Sequence, residues 1–536
     1  VYSYDERGNV ISCEEKGRDL GDRKITYTYD EFNRLIKQEQ PGQATVAYTY
    51  DDKDRVLTEA VGERKVTYTY DKAGRVLTQR DSNGLVTSYT YDSNNNVLTE
   101  STDGLTTTYA YDANGNLSST TTPSGITQRN EYDKDGNLVA EYDGKGNATF
   151  YTYDRANNVV GITDKEGNKS CYVYDANGNL LAMTDTNDVT SRYEYDVMNR
   201  LIKVAEPDEV FVFYKYDKSG NMVKELTCDE AMDYSLFTGK SSKKEVNYKY
   251  SKTGELTAVI SADTTSELYE YYNDGSLKKT IYPSGKTKEV SYDAFGNTKA
   301  VYLDNKLNVS YEYDIYNQLI IMNDVNGKTA YSYDNAGQIR EVSSVGKTLK
   351  YAYDKLGRLY VLTYPDGRTA KYTYDEDSRI SSFTETNGTK VDYVYDANGN
   401  VLEENRSDGI STVKTYDKLD RVSSVKTFRS NKLETSNDYT YDSAGRLIKE
   451  NTLDSAGELN KTYSYSEAGK LTKVSELNPK NNNTKTVSYS YDTYGNRDKE
   501  TIEETGKATL SYTYKYDDAN RLKEKLEGNK QVAEFS

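Results

Sequence analysis

Tyr172-Val173-Tyr174-Asp175-Ala176-Asn177-Gly178-Asn179-Leu180 is the stretch that decides the fold, because the chain repeats it from end to end. Taking the Tyr before the Asp as a marker, 24 copies run from Tyr4 to Tyr516. The spacing is 20 or 21 residues through most of the chain, 34 between Tyr216 and Tyr250, and 24–26 after Tyr416. Self-similarity at such a period signals a repeat architecture and is read before any single element. The marker is Tyr in all 24 copies, and the column two residues earlier is Tyr in 21, so the two columns hold 45 of the 55 tyrosines. Asp follows the marker in 21 copies, and three residues beyond it stands Gly in 15, Asn in 6, Asp in 2 and Ser once. Two residues further the column is aliphatic in 22.

Each column has a physical reading. Residues two apart on a strand share a face, which puts Tyr172 and Tyr174 side by side. Asp175 opens a turn, since its carboxylate accepts backbone N–H groups two residues on. The Gly/Asn/Asp column, Gly178 here, marks a backbone position with positive φ. Asp-x-x-Gly between strands therefore predicts a type I turn closed by a left-handed bulge residue. Leu180 starts the return strand. A second turn follows, marked by Gly or by Pro-x-Gly, as in Pro123-Ser124-Gly125, Pro283-Ser284-Gly285 and Pro365-Asp366-Gly367. Each repeat is thus two short antiparallel strands, and the chain is an all-β meander of about 48 strands with almost no helix signal.

Composition sets limits on what that meander builds and does. There are 9 Phe, no Trp and no His, and Tyr supplies much of the 35% hydrophobic content. The remaining aliphatic mass is too thin for a solid core of the usual kind. At ~4.8 Å per strand a flat sheet would run roughly 230 Å, and sheets of that size twist and curl. A single-layer wall packed by tyrosine ladders and curled into a spiralling hollow shell or barrel segment fits best, ahead of a compact β-solenoid. Without His there is no Ser-His-Asp or Cys-His pair and no His-bearing zinc site. A net charge of −17, with only Lys240, Lys243 and Lys244 clustered, argues against nucleic acid. Mean hydropathy is −0.89 and no long apolar run exists, so no transmembrane helix is expected. Cys13, Cys171 and Cys228 form no disulfide framework.

The repeat resembles the YD repeat of the rearrangement-hotspot (Rhs) proteins, the teneurins and the shell subunits of bacterial Tc toxins. The resemblance covers essentially the whole chain. It implies a hollow shell of spiralling hairpins, which in bacterial members encloses a toxic C-terminal polypeptide and in animal members is part of an adhesion receptor. Neither the Pro-rich core signature that ends bacterial shells nor a cysteine-rich module is present. The expectation is one continuous shell segment over 1–536, cut from a longer protein. It has regular repeats to 216 and over 250–416, an insertion at 225–244, and longer repeats over 417–522. The segment is expected to be non-catalytic, to need no cofactor, and to be secreted or displayed on a bacterial cell. Its expected partner is an enclosed C-terminal toxin or other polypeptide cargo. The alternative is an extracellular module binding a cell-surface glycan or protein.

Four features carry candidate chemistry, each beside a plain structural reading. Asp-x-Asn-Gly-Asn at 112–116, 175–179 and 396–400 carries calcium-type oxygens, but its Gly and Glu do not fall where a calcium loop needs them, so a hairpin turn is the better reading. The Tyr pairs could stack sugars, but their presence in every copy argues for packing first. Paired carboxylates for a hydrolase are inevitable among 86 acids, and most lie in a periodic column, whereas an active site is unique. The aperiodic segment is the insertion, where Cys228, Asp229, Tyr234 and Phe237 form a candidate partner loop.

Overall fold

The structure, a computed structural model, describes residues 1–16, 21–228, 244–492, 494–517 and 521–535. Among these residues it is all-β, a 49-stranded antiparallel sheet with no helix. The chain divides into two compact units, Val1–Arg129 with Leu268–Val391 and Asn130–Glu267 with Asp392–Ser536.

Within each unit the register follows from the repeat. Lys169–Tyr174 pairs with Leu180–Thr184 through Tyr172↔Met183, Val173↔Ala182 and Tyr174↔Leu180. Leu181 is skipped, so each such hairpin carries one extra residue just above its turn, a β-bulge that sharpens the local twist. The same shift falls between Thr69 and Tyr70 and between Thr373 and Tyr374. Pairing to the neighbouring hairpin ends sooner. Leu138–Tyr142 stays in register with Ala148–Tyr153 only up to Ala140↔Phe150, so the two part company on the way to their turns.

The two faces differ as the Tyr pair requires. Tyr172 and Tyr174 are half-buried, while Cys171 and Val173 point to the exposed face. That face is held by hydroxyl pairs directly across the ladder, Thr49 with Thr58, Thr69 with Thr78 and Thr90 with Thr99, each at 2.6 Å. The longer repeats after Tyr416 do not enlarge loops. They lengthen strands, as in Lys432–Tyr441 at 10 residues against the 5 of Leu180–Thr184.

Burial is thin. The accessible surface is 31149 Å² for 60.7 kDa, whereas two separate compact globules of half that mass would expose only about 23,600 Å². Among the described residues, Phe213 and Leu226 are the largest side chains fully buried, and with Cys228 and Phe211 they form a small apolar cluster. The insertion begins beside it: Glu225–Cys228 continue the strand Met222–Cys228, which pairs Thr227 with Lys244. Asp229, Tyr234 and Phe237 lie outside the described residues. Because Phe213 is 0% exposed, Phe213→Ala is expected to lower stability by about 3–5 kcal/mol, read as a lower denaturant midpoint.

Candidate functional site: turns, tyrosine bridges and seams

The turn at Asp175 has the predicted geometry. Gly178 N–H donates to the Asp175 carbonyl at 3.1 Å, and Asp175 N–H to the Asn179 carbonyl at 2.9 Å. The Asp175 carboxylate accepts from the N–H groups of Asn177 and Asn179 at 2.8 and 2.9 Å and from the Asn179 amide at 2.8 Å. Those bonds, the Asn179 amide first, hold its pKa below the usual carboxylate range. Gly178 has φ 84°, and all 23 described residues of its column have positive φ, Asn33 at 63° and Asp54 at 63° included. Asp112 and Asp396 are engaged in the same way, so the three calcium-like stretches are hairpin turns.

The marker Tyr does what Phe could not. Beyond the last ladder pair Val361↔Lys371, the Tyr374 hydroxyl donates to the carbonyl of Leu359 in the preceding repeat at 2.6 Å. Tyr153 reaches Leu138 at 2.7 Å. At least 18 markers make this bond, always to the residue that opens the previous return strand. The phenol therefore bridges the gap where neighbouring hairpins splay.

The residue after the Gly column adds a second tie. Where it is Asn, as at Asn179, it closes its own turn and also donates to Asn199 in the next repeat, at 2.8 and 2.9 Å. Where it is Arg, it reaches a backbone carbonyl and the marker ring of the next repeat. Arg75 Nε donates to Asp71 at 2.7 Å, its Nη1 donates to the Asp92 carbonyl at 2.7 Å, and its guanidinium lies 4.6 Å from the centre of the Tyr91 ring. Arg34, Arg55, Arg200, Arg421 and Arg446 repeat the arrangement. The sequence signal for this tie is the Tyr that always waits one repeat downstream.

A second feature had no local signal. In the first unit, second turns of Val1–Arg129 meet Asp-turns of Leu268–Val391. Ala44 N–H donates to the Ile315 carbonyl at 2.7 Å, Gln43 to Asn317 at 2.9 Å, and Glu63 N–H to the Tyr316 hydroxyl at 3.1 Å. Arg64 lies 3.9 Å over the Tyr316 ring, and Ser124 binds the Asp377 carboxylate through N–H and hydroxyl at 3.0 and 2.6 Å. Gly42 and Gly62 make room: a Cβ would stand 3.0 Å from the Phe295 ring and 2.6 Å from the Tyr316 hydroxyl, respectively.

In the second unit the corresponding seam is ionic. Lys145 contacts Asp396 at 2.5 Å and Asp420 at 2.9 Å, and Lys165 contacts Asp143 at 2.8 Å and Asp420 at 3.3 Å. Asn398 Nδ2 joins Asp143 at 2.8 Å and Asp420 at 2.9 Å. Burial works against the Asp143 charge, but the Lys165 ammonium and the Asn398 amide outweigh it and keep its pKa far down. Further along, Glu166 pairs with Arg421 at 2.9 Å and Asp208 with Lys470 at 2.8 Å.

The Teneurin YD-shell family model matches residues 139–237, 230–370 and 362–498, which is more than half of the 536 residues. The chain belongs to the YD-shell family. The RHS Repeat model adds 70–104 and 100–127. No curated protein matches the chain by sequence. Among solved structures, TcdB2-TccC3-Cdc42 superposes with a TM-score of 0.73 at 14% identity, over 95% of this chain and 37% of that one. TcdB2-TccC3 gives 0.64 at 14% identity over 95% and 38%. TcdB2-TccC3 without its hypervariable C-terminal region gives 0.51 at 12% over 96% and 34%. The fold is therefore that of a YD shell, and the chain spans well under half the length of those it resembles. In this YD-shell segment, Tyr172, Tyr174, Asp175, Gly178 and Leu180 belong to hairpin and turn, and Cys228 belongs to the apolar cluster.

Two predictions follow from the tyrosine and aspartate geometry. Tyr374→Phe is expected to cost about 1 kcal/mol and to speed amide exchange around Leu359, measured by hydrogen exchange with mass spectrometry. Stability is expected to fall at both pH extremes. Burial, then the Glu500 hydrogen bond, pushes Tyr514 from 10.0 up to about 12. A phenol whose pKa is raised by folding contributes below 10 and loses that contribution as pH rises through 12. Arg55 above all holds Asp51 at about 2 against an ordinary 3.8, so its contribution is present above 3.8 and is lost as pH falls through 2. With no His in the chain, circular dichroism melts should form a plateau between.

Proposed function

We propose that this chain is a non-catalytic wall segment of a secreted bacterial YD-repeat protein, and that the wall encloses or displays another polypeptide. The observation that carries this reading is the excess of surface over burial. A sheet that leaves 31149 Å² exposed is built as a partition, with two accessible faces instead of an interior. Family membership and a fold shared with TcdB2-TccC3 support the role of shell. One neighbouring structure also contains Cdc42, and another is described by the removal of a hypervariable C-terminal region, which supports a polypeptide as the cargo class.

The absence of catalysis is supported by where the acids go. The Asp column is spent on turn N–H groups, as at Asp175, and the seam acids on Lys145 and Lys165. An extracellular setting is supported by the resemblance of the repeat to that of Tc toxin shells and by the fold shared with TcdB2-TccC3.

Small-angle X-ray scattering of the purified chain tests the reading. A solid globule of this length has a radius of gyration near about 24 Å. The expected result is a larger radius with a pair-distance distribution of a low-density centre. A radius of about 24 Å with a uniform interior would overturn the proposal.

A further inference from the structure

Large side chains fill the seam of the first unit from the third position of successive Asp-turns, and then the series breaks. Phe295 holds that position in Asp293–Gly296 and Tyr316 in Asp314–Asn317, both half-buried against the second turns of Gly42 and Gly62. The next turn, Asp334–Gly337, has only Ala336 there. Between Tyr316, Ala336 and the hairpins opposite lies a recess of about 620 Å³, and all of its lining belongs to the first unit. That volume is in the range of pockets that hold small ligands.

The floor of the recess is set by the ladder. Gln38 stands across from Val46, Val46 across from Val61, and Glu59 across from Val66, so all five share the face of Tyr48 and Tyr68. The three valines make the floor apolar, and polar groups surround it. Among the described residues, the side-chain amides of Gln38 and Gln40 make no hydrogen bond, and Glu59 has no ion-pair partner. Amides that donate and accept, and a carboxylate that only accepts, thus converge on one apolar floor. Glu59 and Asp81 are balanced by Arg64 and Lys65, so the lining carries no net charge to draw an ion.

We propose that this recess binds a short neutral oligosaccharide. A pyranose ring has the matching surface. Its C–H face suits the valines, and its hydroxyl groups both donate and accept, which serves the Gln38 and Gln40 amides and the Glu59 carboxylate alike. The small residue at 336 leaves the room, with Tyr316 to one side and the second turn that Asp81 opens to the other. The site belongs to the wall itself and is independent of any cargo.

Saturation-transfer difference nuclear magnetic resonance tests it, with maltotriose, cellotriose and tri-N-acetylchitotriose as probes beside a capped neutral tripeptide. At least one trisaccharide should bind, and the tripeptide should not. Gln38→Ala and Glu59→Ala should each weaken that binding by about five-fold or more, with far-ultraviolet circular dichroism unchanged. Gln79→Ala should leave binding as it is. Gln79 stands across from Tyr68 as Gln38 stands across from Tyr27, but lies outside the recess. Ala336→Tyr places a ring where Phe295 and Tyr316 carry theirs, and should abolish binding. Failure of all three trisaccharides to bind, binding that survives Ala336→Tyr or both alanine variants at 38 and 59, an equal loss in Gln79→Ala, or a tripeptide that binds as well as the sugars would overturn the proposal.

Discussion

Where neighbouring hairpins splay toward their turns, the ladder between them stops and a single phenol–carbonyl hydrogen bond takes its place. The cohesion of the sheet at that edge rests on this bond, because the bulge above each turn rotates the hairpins apart and no thick core lies behind them to hold them. The requirement is specific. The side chain must bury a ring against the neighbouring strand and deliver a donor at the far end of that ring. Only Tyr meets both conditions, which accounts for a marker column that is Tyr in all 24 copies. The Arg variant of the turn strengthens the same joint from the other side, laying its guanidinium on the ring and binding the next turn's carbonyl.

The seams solve a different problem with the same turns. Two stretches of chain meet tip to tip, and tips expose backbone polar groups as well as side chains. In the first unit an aromatic ring and a glycine fit together and backbone groups pair across the join. In the second unit Lys145 and Lys165 are shared among Asp143, Asp396 and Asp420, with Asn398 filling the remaining acceptor sites. Partly buried charge is tolerable there because every carboxylate has several donors. The first solution draws on the variable middle positions of the Asp-turn, whereas the second also enlists the turn-opening Asp143 and Asp396 and, from the Gly column, Asp420.

What could be read in the sequence follows from where its signals are local. The turn type at Asp175, the positive φ of Gly178 and the shared face of Tyr172 and Tyr174 are set within nine residues, and the repeat states them many times. The longer repeats after Tyr416 were visible as spacing, but spacing does not distinguish a longer loop from the longer strands found in Lys432–Tyr441. The seam was hidden for a stronger reason. Tyr316 and Gly62 are 254 residues apart, and neither breaks a local rule, so nothing near either position announces the other. Cys228 was singled out as loop and proves to be strand and apolar cluster, since the register with Lys244 and its neighbours extends further than the repeat alone requires.

The thin burial has a thermal consequence. The heat capacity released on unfolding scales with the apolar surface newly exposed to water, less a contribution from the polar surface exposed with it. Here the strands already show much of their surface, and the tyrosines that line them are for the most part only half-buried. The increment per residue is expected to fall below the roughly 12–15 cal/mol/K of ordinary globular domains. A small increment flattens the stability curve, so this wall weakens little on cooling and keeps its margin over a wide span of temperature, as suits a fold that has hydrogen bonds where others have oil.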